Sequence, residues 1–319
     1  MEILVTGADG FVGSALCKYL LKQGEIVKGT VRYQDQKAPG GVMRIVSGEI
    51  NADTCWQKAL GSVDVIIHTA ARVHVMDDSS ADPLASYREV NVEGTLNLAR
   101  QAASAGVKRM VFISSIKVNG EETAFGTPFT ERDVPAPVDP YGISKFEAET
   151  GLREIASQSG MDVVIVRPPL VYGPGVKANF INMVRWVSKG VPLPLGSINN
   201  KRSFIALDNL VDFLYCCAQH PRAANQVFLI SDGEDLSTSD LLKRMAVALD
   251  KPKRLIPIPQ IVLVFLGWAV RKRAMISRLI GSLQVDSSSA CDLLNWKPKL
   301  SVDQALKKVA KAYANEKNL

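Results

Sequence analysis

The chain has 319 residues, long enough for one large core or two coupled ones, and its 47% hydrophobic and 22% charged content excludes a disordered polypeptide. A net charge of +6 suits a protein that handles anions, but the dense Lys/Arg clustering with interleaved aromatics of a nucleic-acid binder is missing. Five cysteines (Cys17, Cys55, Cys216, Cys217, Cys291) form no Cys-x-x-Cys pair and three histidines (His68, His74, His220) have no ligand spacing, so neither disulfides nor a metal site is expected.

In chain order, apolar β-branched runs at 3–6, 26–31, 44–47, 63–68, 110–114 and 162–167 predict strands. Helical patterns at 12–23, 54–60, 84–105 and 142–158 fall between them. Near-continuous hydrophobic strands separated by helices predict an α/β fold, a parallel sheet covered on both faces and doubly wound by right-handed crossovers. A strand starting at Glu2 leaves no room for a signal peptide, and a cytoplasmic protein is expected.

The first strand runs into Gly7-Ala8-Asp9-Gly10-Phe11-Val12-Gly13 and then a helix. Gly-x-x-Gly-x-x-Gly in a strand–turn–helix context predicts a dinucleotide cradle: Gly7 makes the turn, Gly10 admits pyrophosphate, and Gly13 lets helix pack on strand. The second strand ends Gly29-Thr30-Val31-Arg32, without the carboxylate that NAD binders usually place there. Arg32 can instead bind a 2′-phosphate, so NADP(H) is the expected cofactor and NAD(H) the alternative.

Tyr141 and Lys145 stand at i and i+4 on the helix opened by Pro140, so their side chains share a face. A nearby ammonium is expected to lower the phenol's pKa and let it exchange protons near neutral pH. Tyr33/Lys37 and Tyr313/Lys317 have the same spacing, and what singles out Tyr141 is its place after the strand ending in Ser114-Ser115.

After Arg167 the alternation breaks at Pro168-Pro169, Gly173-Pro174-Gly175 and Pro192-Leu193-Pro194. A helix at 208–219 and a strand at 226–230 read as a return to the first unit, and Ser237-Thr238-Ser239-Asp240 caps a further helix. The expected organisation is a Rossmann domain over 1–170, rejoined by 204–232, with a smaller, mainly helical substrate domain from 171–203 and 233–319. Residues 256–270 are almost wholly apolar and precede Arg271-Lys272-Arg273. They are too short to span a bilayer; a buried helix is the favoured reading, and weak peripheral membrane contact through 256–273 the alternative.

Several motifs occur in order: Thr6-Gly7-x-x-Gly10-x-x-Gly13, His68-Thr69-Ala70-Ala71, Asn91-Val92-x-Gly94-Thr95, Ser114-Ser115 and Tyr141-x-x-x-Lys145. The order continues through Arg167-Pro168, Tyr172-Gly173-Pro174, Arg202-Ser203-Phe204-Ile205, Asp208 and Asn295-Trp296-x-Pro298. Over essentially its whole length the chain resembles an extended short-chain dehydrogenase/reductase of the nucleotide-sugar epimerase/dehydratase group. The resemblance implies Tyr141 as acid/base, Lys145 as its partner and ribose contact, and Ser115 as the hydroxyl on the reacting oxygen. It also implies cofactor contacts from Phe11, Val12, Glu49, Ile50, Ala70, Asn91 and Pro168, substrate diphosphate contacts from Asn179, Arg202 and Arg278, and a homodimer.

Three departures bear on function. Leu170 stands where galactose epimerases tend to carry asparagine, Glu49 replaces an aspartate near the adenine, and Ile116-Lys117 replaces the acidic pair of 4,6-dehydratases. Without that pair no elimination is expected. The expected activity is therefore reduction of a nucleotide-linked, UDP-type 4-keto-6-deoxy hexose for surface polysaccharide. The first alternative is a UDP-glucose or UDP-N-acetylglucosamine 4-epimerase with bound NAD; a dinucleotide-sensing regulator is the non-enzymatic one.

Overall fold

The computed structural model describes residues 1–73, 82–269 and 273–317. His74, and residues 270–272 of the 256–273 segment, lie outside them. Strands β1 (Glu2–Thr6), β2 (Ile26–Val31), β3 (Met43–Val46), β4 (Val65–His68), β5 (Arg109–Ile113) and β6 (Asp162–Arg167) alternate with helices. They are followed by β7 (Leu170–Tyr172), β8 (Phe204–Ala206) and β9 (Val227–Leu229). The main sheet has the order β3-β2-β1-β4-β5-β6-β9, and every neighbouring pair is parallel. The order reverses between β1 and β4, so the ligand crevice of such a sheet lies beyond the C-terminal ends of these two strands.

The apolar strand runs are explained by burial on both faces. Ile3, Val5, Ile67, Val111 and Val164 pack against Leu16 and Leu20 of helix Phe11–Lys22 and Leu210 and Leu214 of helix Leu207–Gln219. On the other face Leu4, Ile66, Met110 and Phe112 meet Leu98 and Ala102 of helix Thr95–Ser104 and Leu152 of helix Pro140–Ser159.

Two elements differ from expectation in ways that matter for the site. The helix expected over 84–105 is three segments: Pro83–Arg88, a π-helical turn at Glu89–Gly94, and Thr95–Ser104. A π turn inserts an extra residue and re-aims its side chains. The sequence also left β7, β8 and helix Ala178–Ser188 unmarked. β7 and β8 are three residues each and pair with one another outside the main sheet, too short to carry a periodicity.

The segment 256–273 is corrected more sharply. It forms a helix over Gln260–Ala269, but that helix is not buried: Ile261 is 78%, Phe265 65% and Trp268 62% exposed, and Leu263 alone of its described side chains is buried. Among the described residues no helix is long and apolar enough to cross a membrane.

Candidate active site

At the end of β1 the backbone turns through Gly7 (φ 67°), and the Gly10 N–H donates to the Gly7 carbonyl at 2.9 Å. Helix Phe11–Lys22 then begins without a side-chain cap, and a Cβ on Gly13 would overlap the Gly7 carbonyl. The first-turn N–H groups, which lack intrahelical acceptors, are thereby left for an anion. Gly7, Gly10, Phe11, Val12 and Gly13 line one wall of a cleft of about 500 Å³; Arg32, Glu49 and Ile50 line another, with Ala70 beside Gly7. These residues fit a dinucleotide, because side chains are excluded where pyrophosphate must approach.

A carboxylate stands beside Arg32 although β2 itself ends without one. Parallel pairing of β2 with β3 sets Val31 opposite Val46, so the loop after β3 runs beside the loop after β2. Glu49 lies 3.5 Å from the Arg32 guanidinium and accepts from the Tyr33 hydroxyl, while the Gln36 side chain caps the N–H groups of Arg32 and Tyr33 at 2.8 and 2.9 Å. Arg32 therefore reaches the cleft as half of an exposed ion pair.

The central trio assembles at the ends of β5 and helix Pro140–Ser159. Ser115 caps the 3₁₀ turn Ile116–Val118, and its hydroxyl favours ionisation of the Tyr141 phenol. Burial pushes the phenol above its ordinary range, Asp139 and Tyr87 add to this, and the Ser115 hydroxyl opposes them. Lys145 is buried, donates to the Ile113 carbonyl at 2.8 Å, and sits 4.4 Å above the Phe112 ring. Burial pushes its pKa down to about 7, against the charge of Glu149. The expected acidification of Tyr141 by this ammonium is not how the site is built. Lys145 Nζ lies 5.9 Å from the tyrosine ring centroid, and the hydroxyl of Ser115, not the amine, lowers the phenol.

Beneath the trio lies a buried polar network that sequence reasoning missed. The Glu149 carboxylate accepts from Ser114 at 2.5 Å and from Arg167 at 2.9 and 2.5 Å, and Arg167 also reaches Asn119 at 2.9 Å. The available signal was Glu149 standing four residues after Lys145, one turn along the same face. Asn91, expected on the cofactor, instead commits its side chain to protein partners: it donates to the Arg72 carbonyl and Ser144 hydroxyl, both at 3.0 Å, and accepts from the Arg72 N–H at 2.8 Å. It clamps the loop after β4 to the helix between Tyr141 and Lys145. His68 is buried between the hydroxyls of Thr6 (2.8 Å) and Thr95 (3.0 Å), and burial followed by the Lys145 charge lowers its pKa to about 3.

A second pocket of about 370 Å³ adjoins the trio through Ser115 and is lined by Pro168, Leu170, Arg202 and Arg278. Arg202 is held by the carbonyls of Arg278 and Gly281, both at 3.0 Å, and burial weakens its hold on its proton. The two arginines are thus brought together beside Ser115. Pro168, expected at the cofactor, belongs to this pocket, its carbonyl accepting from Ile116 at 3.1 Å. Asn179 is not brought here; it is exposed on helix Ala178–Ser188 and does not line the pocket. The pocket does contain carboxylates, although Ile116-Lys117 replaces the acidic pair of 4,6-dehydratases. Glu121 and Glu122 line it, the first 3.8 Å from Lys117 and the second accepting from Ser277 at 2.7 Å. Among the described residues no group of three or more His, Cys, Asp or Glu side chains could hold a metal.

A switch-point glycine cradle beside a serine–tyrosine–lysine trio defines an extended short-chain dehydrogenase/reductase. The signature of the NAD dependent epimerase/dehydratase family matches residues 3–231, and the chain belongs to that family as an NAD-dependent enzyme. It is 50% identical over 319 residues to a UDP-glucose 4-epimerase of Vibrio cholerae, covering 99% of this chain and 97% of that one. It is 28% identical over 265 residues to the N-acetyl-alpha-D-glucosaminyl-diphospho-ditrans,octacis-undecaprenol 4-epimerase of Escherichia coli O157:H7, covering 81% and 76%. The UDP-N-acetylglucosamine 4-epimerase structure from Bacillus cereus superposes with a TM-score of 0.80 over 98% of both chains at 20% identity, a likeness of fold.

Proposed function

We propose that this enzyme inverts C4 of a UDP-linked hexose, retaining NAD through each turnover. The observation that carries the reading is the half-identical, full-length relative named a UDP-glucose 4-epimerase; the E. coli relative, also named a 4-epimerase, acts on a diphosphate-linked sugar. This reverses the order of the two activities expected from the motifs, where the reductase stood first because Arg32 suggested NADP(H). The Arg32–Glu49 pair removes that reason. A 2′-phosphate at Arg32 would face the Glu49 carboxylate, whereas a ribose 2′-hydroxyl can donate to it.

When bound, the dinucleotide supplies a reversible hydride acceptor at the sugar's C4. The chain's own groups do the rest. Ser115 and Tyr141 meet the C4 oxygen; Tyr141, as its phenolate, takes the hydroxyl proton as C4 is oxidised and, as the phenol so formed, gives it back on reduction. Arg202 and Arg278 offset the substrate's diphosphate charge in the adjoining pocket. The Gly7–Gly13 turn would hold the cofactor's pyrophosphate, and Lys145, one helical turn from Tyr141, its ribose.

The test is to denature purified protein, identify the released dinucleotide, and assay UDP-glucose and UDP-N-acetylglucosamine without added cofactor. NAD in near-stoichiometric amount and equilibration of the C4 epimers are expected. Turnover only of a UDP-4-keto-6-deoxy sugar, with stoichiometric NADPH consumption, would overturn the reading. Glu49→Gln should raise affinity for NADP relative to NAD by about fivefold or more, the effect of removing one repulsion of roughly 1 kcal/mol.

A further inference from the structure

Helix Gln260–Ala269 has no polar face: from Ile256 to Trp268 the only side chains able to hydrogen-bond are Gln260 and, through its indole N–H, Trp268. A helix apolar all round belongs in a core or in lipid. This one lies on the outside, with Ile261, Val262, Val264, Phe265 and Trp268 exposed and Leu263 anchoring it to the C-terminal core. The exposed apolar surface extends to Ile256 and Val191, because residues 254–256 run alongside Leu193. Trp268 and Phe265 lie against each other, ring centroids 6.2 Å apart.

Charge identifies what covers this surface. Exposed Lys251, Lys253 and Arg254 lead into the segment, and the sequence continues with Arg271, Lys272 and Arg273 after it. Over residues 251–273 there are six cations and no Asp or Glu. A second copy of the chain would bring the same cations, with no carboxylate in the segment to meet them. An anionic lipid surface satisfies both features, accepting the apolar side chains below the headgroups and the cations among them. Ten helical residues, about 15 Å, are enough to lie in that interface and too few to cross the bilayer.

We propose that this segment seats the enzyme peripherally on an anionic membrane. The next helix, Arg273–Ile280, packs against the seated one and carries Ser277 and Arg278 into the diphosphate-sugar pocket, so the pocket is held close to the lipid surface. The inference does not depend on which C4 reaction the site performs.

Co-sedimentation of the full-length protein with phosphatidylglycerol/phosphatidylethanolamine vesicles and with phosphatidylcholine vesicles tests it. Binding to the anionic vesicles is expected, lost in high salt and much weaker on phosphatidylcholine. Lys251→Gln/Lys253→Gln/Arg254→Gln should weaken partitioning on the order of a hundredfold, roughly fivefold per cation. Phe265→Ser/Trp268→Ser should abolish it and leave epimerisation in vesicle-free solution unchanged. Fluorescence of the unmodified protein should be quenched by brominated anionic lipid, and Trp268→Phe should remove that quenching. Absence of binding and quenching for the unmodified protein overturns the proposal, as does a Phe265→Ser/Trp268→Ser variant that binds normally. So does a dimer that this double variant converts to monomer without any vesicle binding.

Discussion

Tyr141 is the residue whose surroundings decide the chemistry. Its proton is held by burial, by the Asp139 carboxylate and by Tyr87, and loosened by Ser115. Removing a negative neighbour stabilises the phenolate, so Asp139→Asn should move the acidic limb of the kcat/KM pH profile to lower pH. Asparagine can keep the cap that Asp139 gives the Gly142 N–H, so the helix start should survive. Ser115→Ala removes the hydroxyl that favours the phenolate and should move the same limb to higher pH. Tyr141→Phe should lose roughly 10²–10⁴-fold in kcat, the usual worth of a positioned acid/base, with little change in thermal stability. If both neighbour variants leave the limb in place, the phenol is not the group that titrates. Tyr141 and Lys145 were legible as a pair on one helix face. What the spacing misjudged was the partner, because i,i+4 geometry fixes which face a lysine shares and not where its ammonium ends. Here the tip turns to the Ile113 carbonyl.

At the scale of elements, the glycine turn and the π turn set the site's walls. Gly13→Ala places a methyl on the Gly7 carbonyl and should push helix Phe11–Lys22 off β1. Purified Gly13→Ala protein should therefore carry little or no dinucleotide, measured by absorbance of the denatured supernatant, and full occupancy would show that the helix approach is not what binds. The turn Glu89–Gly94 was invisible in the sequence, since residues 84–105 keep an unbroken helical pattern; only its packing shows Asn91 turned toward Arg72 and Ser144. Glu149 and Arg167 form the buried pair under Ser114. Glu149→Ala leaves the Arg167 charge uncompensated and should cost about 3–5 kcal/mol in urea unfolding, whereas a loss under about 1 kcal/mol would mean that water reaches the pair.

Across the whole molecule, the C-terminal region is tied to the sheet layer by Trp296. The Asn295-Trp296-x-Pro298 motif puts this ring against Phe213, centroids 4.9 Å apart, and its N–H on Asp212 at 2.8 Å. Trp296→Ala should destabilise by about 3–5 kcal/mol and shift the unfolding midpoint accordingly. Acid stability has a separate origin. His68 stays neutral to about pH 3 when folded but takes a proton near pH 6.5 when unfolded. The unfolded state then binds the extra proton, so stability falls as pH drops through that window, by up to about 1.4 kcal/mol per unit. Unfolding midpoints at pH 7 and 5 should show the loss, and His68→Asn should flatten it.

The order of elements, the parallel sheet and the glycine cradle were written in the sequence because they rest on local signals: β-branched runs, glycine spacing and a helix-opening proline beside Tyr141. The cofactor's charge environment was not, since Glu49 meets Arg32 only through β2–β3 pairing. The same holds for the gathering of Arg202 and Arg278 beside Ser115, for Pro168 in their pocket and for the separation of Asn179 from it. Those placements come from contacts between distant parts of the chain, and so does the exposure of helix Gln260–Ala269. An apolar run marks what avoids water, and the fold alone decides whether the chain itself provides the cover.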